Sequence, residues 1–148
     1  MLGQHQLGTS TIVSRSSLTA PTTDTVKAAL YLASATVNAS TTAYSATGEV
    51  SGTGYTAGGV TATNATAPTS TNSSSTAGVA YWTPSASLVY TTVTLTTAFD
   101  TVLLYNSTQS NKAISVHTFG SQTITAGTFT LTMPSNTTST ALLRLATT

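Results

Sequence analysis

Residues 88–133 read LVYTTVTLTTAFDTVLLYNSTQSNKAISVHTFGSQTITAGTFTLTM, and this stretch decides the fold class. Apolar and β-branched residues recur at alternate positions, as in Val89, Thr91, Val93 and Leu95, in Ile114 and Val116, and in Phe129, Leu131 and Met133. A period of two is that of a strand, whose successive side chains point to opposite faces. The residue types agree, because stiff β-branched and flat aromatic side chains suit a pleated surface. We read strands at Leu88–Thr96, Thr101–Tyr105, Ala113–Phe119 and Thr128–Met133. Asn106–Ser110 and Gly120–Gln122 carry the turn chemistry between them.

Outward from this block, Gly78–Thr83 and Ala141–Ala146 read as flanking strands. Near the other end, Val26, Ala28, Leu30 and Leu32 alternate with Lys27, Ala29 and Tyr31, which predicts a strand over Val26–Leu32. Gly48, Gly52, Gly54, Gly58 and Gly59 mark 38–59 as a long loop with at most a turn of helix near Thr42–Ser45, followed by a strand near Val60–Asn64. Pro68–Ala77 is nearly all Ser, Thr and Asn and reads as an exposed flexible loop. About eight short strands, with no helical segment long enough for a crossover, predict an all-β single domain over residues 24–148, a β-sandwich of jelly-roll kind. Residues 1–23 are polar and aperiodic, and read as an extended N-terminal arm.

Composition narrows the function classes. A quarter of the residues are Thr and only 5% are charged, where an ordinary domain has about 25%. At 39% hydrophobic the chain can still fold, unlike disordered segments that join low hydrophobicity to high charge. Four scattered cations, Arg15, Lys27, Lys112 and Arg144, make no track for phosphate and no patch for anionic lipid, so neither nucleic acid nor membrane is an expected partner. With no cysteine there is neither a disulfide framework nor a thiolate metal site. Residues 1–24 lack the apolar run of a secretory signal, and no 18-residue apolar run occurs.

Little in the chain points to catalysis. Gly52-Thr-Gly54-Tyr55-Thr-Ala-Gly58-Gly59 looks superficially like a nucleotide loop but lacks the Lys-Ser/Thr of a P-loop and a following helix. His117 and Asp100 with a serine would supply triad residue types, yet serine is everywhere and no G-x-S-x-G elbow exists. Two histidines, one of them His5 in the arm, make a histidine metal site improbable. A carboxylate pair would have to come from Asp24, Glu49 and Asp100. We therefore expect no enzyme activity, cofactor or metal. Tyr81-Trp82, with the sole tryptophan, suits a stacking platform, an interface anchor or core packing. Five N-x-[ST] sequons, at Asn38, Asn64, Asn72, Asn106 and Asn136, are what chance gives in so Ser/Thr-rich a chain.

Residues 24–59, DTVKAALYLASATVNASTTAYSATGEVSGTGYTAGG, resemble a segment of small structural proteins of tailed phages. Residues 103–134, LLYNSTQSNKAISVHTFGSQTITAGTFTLTMP, resemble a second block of those proteins, and ALLRLA at 141–146 resembles their last strand. The arm and the Ser/Thr loop at 68–77 depart from that pattern. The resemblance implies a virion component, with capsid decoration, or cement, as its role. Such a protein would sit on the outer capsid surface as a dimer or trimer, contact the major capsid protein and copies of itself, and be assembled in the host bacterial cytoplasm. The alternative is a receptor- or glycan-binding module of a head fibre or tail, with Tyr55, Tyr81 and Trp82 as stacking residues.

The arm adds one expectation. Ordering it costs about 1–2 kcal/mol per residue of backbone entropy, which so polar a segment does not offset by itself. We expect it to cross to a neighbouring subunit by strand addition, with Leu7, Ile12, Val13 and Leu18 as anchors. Folding back on its own sandwich is the competing expectation.

Overall fold

The computed structural model describes residues 24–63, 69–70 and 78–146. The described chain is all-β, without a helix, in two antiparallel sheets. Its strands are β1 (Val26–Leu32), β2 (Val60–Thr61), β3 (Thr69–Ser70), β4 (Val79–Trp82), β5 (Leu88–Asn106), β6 (Lys112–Leu131) and β7 (Leu143–Ala146). One compact unit comprises Thr25–Ala62 with Leu88–Leu131, and the other holds Asp24 and the described residues within 63–87 and 132–146.

The first unit carries a four-stranded sheet in the order β2-β1-β5-β6. Its central strands are buried on both faces. Val26, Ala28, Ala29 and Leu30 of β1 are fully buried, as are Leu103, Leu104 and Tyr105 of β5 within a few per cent. That explains why VKAALYL has apolar residues on both sides of its alternation. Each large apolar side chain removed from water there contributes about 1.5–3 kcal/mol. Asn106 closes the hairpin, its Oδ1 accepting from the backbone N–H groups of Thr108 and Gln109 at 3.1 Å each. This is the local side-chain bond that makes asparagine a turn residue.

β1 has the bounds its sequence pattern predicts, and the turn at Asn106–Ser110 is present. Two expected breaks are absent. Leu88–Thr96 and Thr101–Tyr105 are one strand, and so are Ala113–Phe119 and Thr128–Met133 up to Leu131. Gly120–Gln122 is therefore strand and not turn. The ladder passes both places by changing register repeatedly between Tyr90 and Thr101, with Thr92 at φ 52° and Ala126 at φ 48°. Such bulges bend a ribbon without ending it. The bend is sharp. Phe119 and Phe129 would lie about 33 Å apart on a straight strand, but their rings are 5.4 Å apart and both pack on Phe99. The shift after Tyr90 also swaps faces, so Leu88, Tyr90, Val93 and Leu95 are buried while Val89 is 41% exposed. The expected alternation through Val89 and Val93 is broken by that bulge.

The predicted helical turn near Thr42–Ser45 is absent, and Ala43 instead forms a β-bridge to Lys112. Within 68–77, read as loop, Thr69–Ser70 pairs with β4, and the rest lies outside the described residues. The second unit's sheet has the order β3-β4-β7. Trp82 and Thr83 are buried in it, and Thr83 Oγ1 accepts from Leu142 N–H at 2.9 Å.

Candidate functional site: a closed edge, an open edge and the Glu49 clamp

A sheet has two edges whose backbone groups must find partners, and in the first unit the chain treats them differently. The outer edge of β1 is closed from end to end. Val60 and Thr61 pair with Ala28 and Lys27. Further along, Val50 N–H donates to Leu30 O at 3.0 Å and Leu32 N–H to Gly48 O at 2.9 Å. Between them the Tyr55 hydroxyl accepts from Leu30 N–H at 3.0 Å, and the Tyr90 hydroxyl donates to Ala28 O at 2.9 Å. Gly59 lies so close beneath β1 that a Cβ there would overlap the Ala28 carbonyl, and its φ of 72° also favours glycine.

The loop that closes this edge is held by Glu49. Tyr44 donates to Glu49 Oε2 at 2.6 Å, while Tyr55 and the Gly58 N–H both donate to Oε1 at 2.7 Å. Tyr31 donates to Ser45 O at 2.6 Å and Tyr105 to Gly58 O at 2.9 Å. Tyr44 stacks on Tyr105 with ring centroids 4.6 Å apart. Burial is the chief reason these phenols resist ionisation, with the neighbouring Glu49 charge adding to it. It pushes Tyr31 up to about 12 and raises Tyr44, Tyr55, Tyr90 and Tyr105 as well. Glu49 thus acts as a structural acceptor with three donors on it. Sequence reading missed this clamp, because Tyr44, Glu49 and Tyr55 sit in a loop where no period groups them.

Among the described residues the β6 edge is open. The loop covers only its beginning, where Tyr44 N–H donates to Asn111 O and Ala113 N–H to Thr42 O, each at 2.9 Å. From Ile114 to Leu131 no described strand lies beyond β6. That span contains no Lys, Arg, Asp, Glu or Pro, the residues that commonly guard an exposed edge. None of its residues is buried, in contrast to the central β5.

The other candidates are dispersed. His117 lies in β6 opposite Val102, with Nε2 3.0 Å from Ser115 Oγ, and burial lowers its pKa. Asp100 accepts from the Thr101 hydroxyl at 2.7 Å, and Asp24 is buried. Trp82 is fully buried in the second unit, Tyr81 beside it is half-buried, and Tyr55 belongs to the clamp. Leu7, Ile12, Val13 and Leu18 lie outside the described residues. A depression of about 430 Å³ is lined by Ser34, Thr36, Thr41, Ser45 and Thr47 among others, with no charged side chain. Among the described residues no three His, Asp or Glu side chains group as a metal site, and no helix is long and apolar enough to cross a membrane. Compared with protein-family models, curated proteins and solved structures, the chain matches none.

Proposed function

We propose that this chain is a structural virion protein of the capsid-decoration type, which binds the major capsid protein and stabilises the shell by docking rather than by chemistry. The observation that carries the reading is the neutral open edge of β6 from Ile114 to Leu131. Where such an edge is regular, as over Ser115–Thr118, it is a template for another chain, and a subunit held permanently among neighbours has one beside it. The composition supports the same reading, since a surface with so little charge gives little colloidal repulsion to a free monomer. The phage-like blocks at 24–59 and 103–134 supply the virion context.

The expected jelly-roll-like sandwich over residues 24–148 belongs to this reading, and the expected arm, residues 1–23, lies outside the described residues. The partners are shell subunits and further copies of the chain on the outer surface of the capsid. Deleting the chain from the assembling particle tests the role. Particles lacking it should release their contents at lower temperature than complete ones. A shell of unchanged stability rules out cementing.

A further inference from the structure

We infer that the β6 edge pairs antiparallel with the same edge of a second copy, about a twofold axis at Val116, so that one sheet runs through both subunits. The inference rests on the assembly reading above and names the occupant of that edge.

The available length selects the segment. The edge is closed up to Ala113 by Thr42–Tyr44, and beyond Phe119 the strand enters the bent region around Gly120–Gln122. Between these limits, Ser115, Val116, His117 and Thr118 pair in unbroken register with Leu104, Leu103, Val102 and Thr101. This is the regular part of the exposed edge.

Symmetry then fixes the register. Two copies of one edge pair antiparallel only about an axis perpendicular to the sheet, which leaves every side chain on its own face. Residues directly opposite must share a face, so the axis passes through a residue and not between two. In the regular segment it passes through Val116 or His117. An axis at His117 sets two imidazoles opposite each other. An axis at Val116 sets two apolar side chains opposite and Ser115 against His117 of the second copy, a hydroxyl–imidazole pairing the chain already makes internally at 3.0 Å. The latter is the better match.

Charge favours a second copy as the occupant. A partner edge of either sign would find nothing to pair with between Ile114 and Thr118, whereas an identical neutral edge meets no like-charge penalty. The copy also brings an edge of equal length with the same limits.

The chain has no cysteine, so single cysteines report the register without background. Opposite residues at the axis have Cα atoms about 4.5–5.5 Å apart, within disulfide reach. Two Thr118 residues would be offset by four positions, about 13 Å, out of reach. The purified full chain should sediment as a dimer, and oxidised Val116→Cys should run as a covalent dimer while Thr118→Cys stays monomeric. Because Val116 also packs against the Tyr31–Tyr105 cluster, the double variant Ser115→Cys/His117→Cys provides a second test with Val116 intact, and should cross-link between copies. A wild-type chain that stays monomeric at high concentration overturns the inference, and so does Thr118→Cys cross-linking as readily as Val116→Cys. The measurement needs no shell, so its failure is distinct from failure of the decoration role.

Discussion

Tyr55 donates its phenolic hydrogen to Glu49 Oε1 across 2.7 Å and, through the same oxygen, accepts the Leu30 N–H of β1 at 3.0 Å. One hydroxyl thereby joins the loop's carboxylate to the sheet's edge. Tyr44 O–H and Gly58 N–H complete the set of donors on Glu49. Glu49→Ala removes the acceptor of three donors at once, and hydrogen bonds to a charged group contribute about 1.5–3 kcal/mol each before solvent replaces part of the loss. Urea unfolding should show a loss of about 2–3 kcal/mol. Glu49→Gln keeps one oxygen and should lose clearly less. Equal stability of Glu49→Ala and wild type would remove the clamp from this account.

Gly59 tests the closed edge from the backbone side. A Cβ at this position meets the Ala28 carbonyl oxygen, and φ is 72°. Both effects act against Gly59→Ala, by on the order of 2–4 kcal/mol. Thermal unfolding should show the loss, and hydrogen exchange should rise first at Leu30 and Leu32, whose N–H groups bond to this loop.

Alkaline pH should unfold the protein through its phenols. Tyr31, Tyr44, Tyr55, Tyr90 and Tyr105 are held above the ordinary value of 10.0, mainly by burial. The unfolded chain ionises near 10, so their contribution is complete below that pH and is lost as pH rises toward the folded values. Phenolate absorbance at about pH 11 should be small in the folded protein and large after denaturation. On the acid side burial lowers His117 from 6.5, so its contribution is present above that value and falls away as pH drops toward its folded pKa.

Attachment to a larger assembly should depend weakly on salt. Screening acts on charges, and the chain has four cationic and three acidic side chains. Dissociation by moderate NaCl alone would contradict a neutral docking surface.

The legible and illegible parts of this molecule separate along physical lines. β1 could be read because its apolar run is local and both its faces are buried. The bend in β5 and β6 could not, because glycine and small polar residues mark a turn and a bulge alike. Gly120–Gln122 has turn composition, but pairing between Phe99 and Gln122 carries the ladder through it. The Glu49 clamp is still further from the sequence. Its donors are brought together by closure of the loop on β1, and that closure depends on contacts such as Gly59 on Ala28 that no periodicity encodes. The open edge is a property of strand order, which a list of strands does not contain.

The decoration role is tested most directly by the copy number of this chain in purified particles, measured by quantitative mass spectrometry against the major shell subunit. The account predicts a fixed ratio to that subunit, repeated over the whole shell and retained through a high-salt wash. A handful of copies confined to one end of the particle, or none, would contradict it.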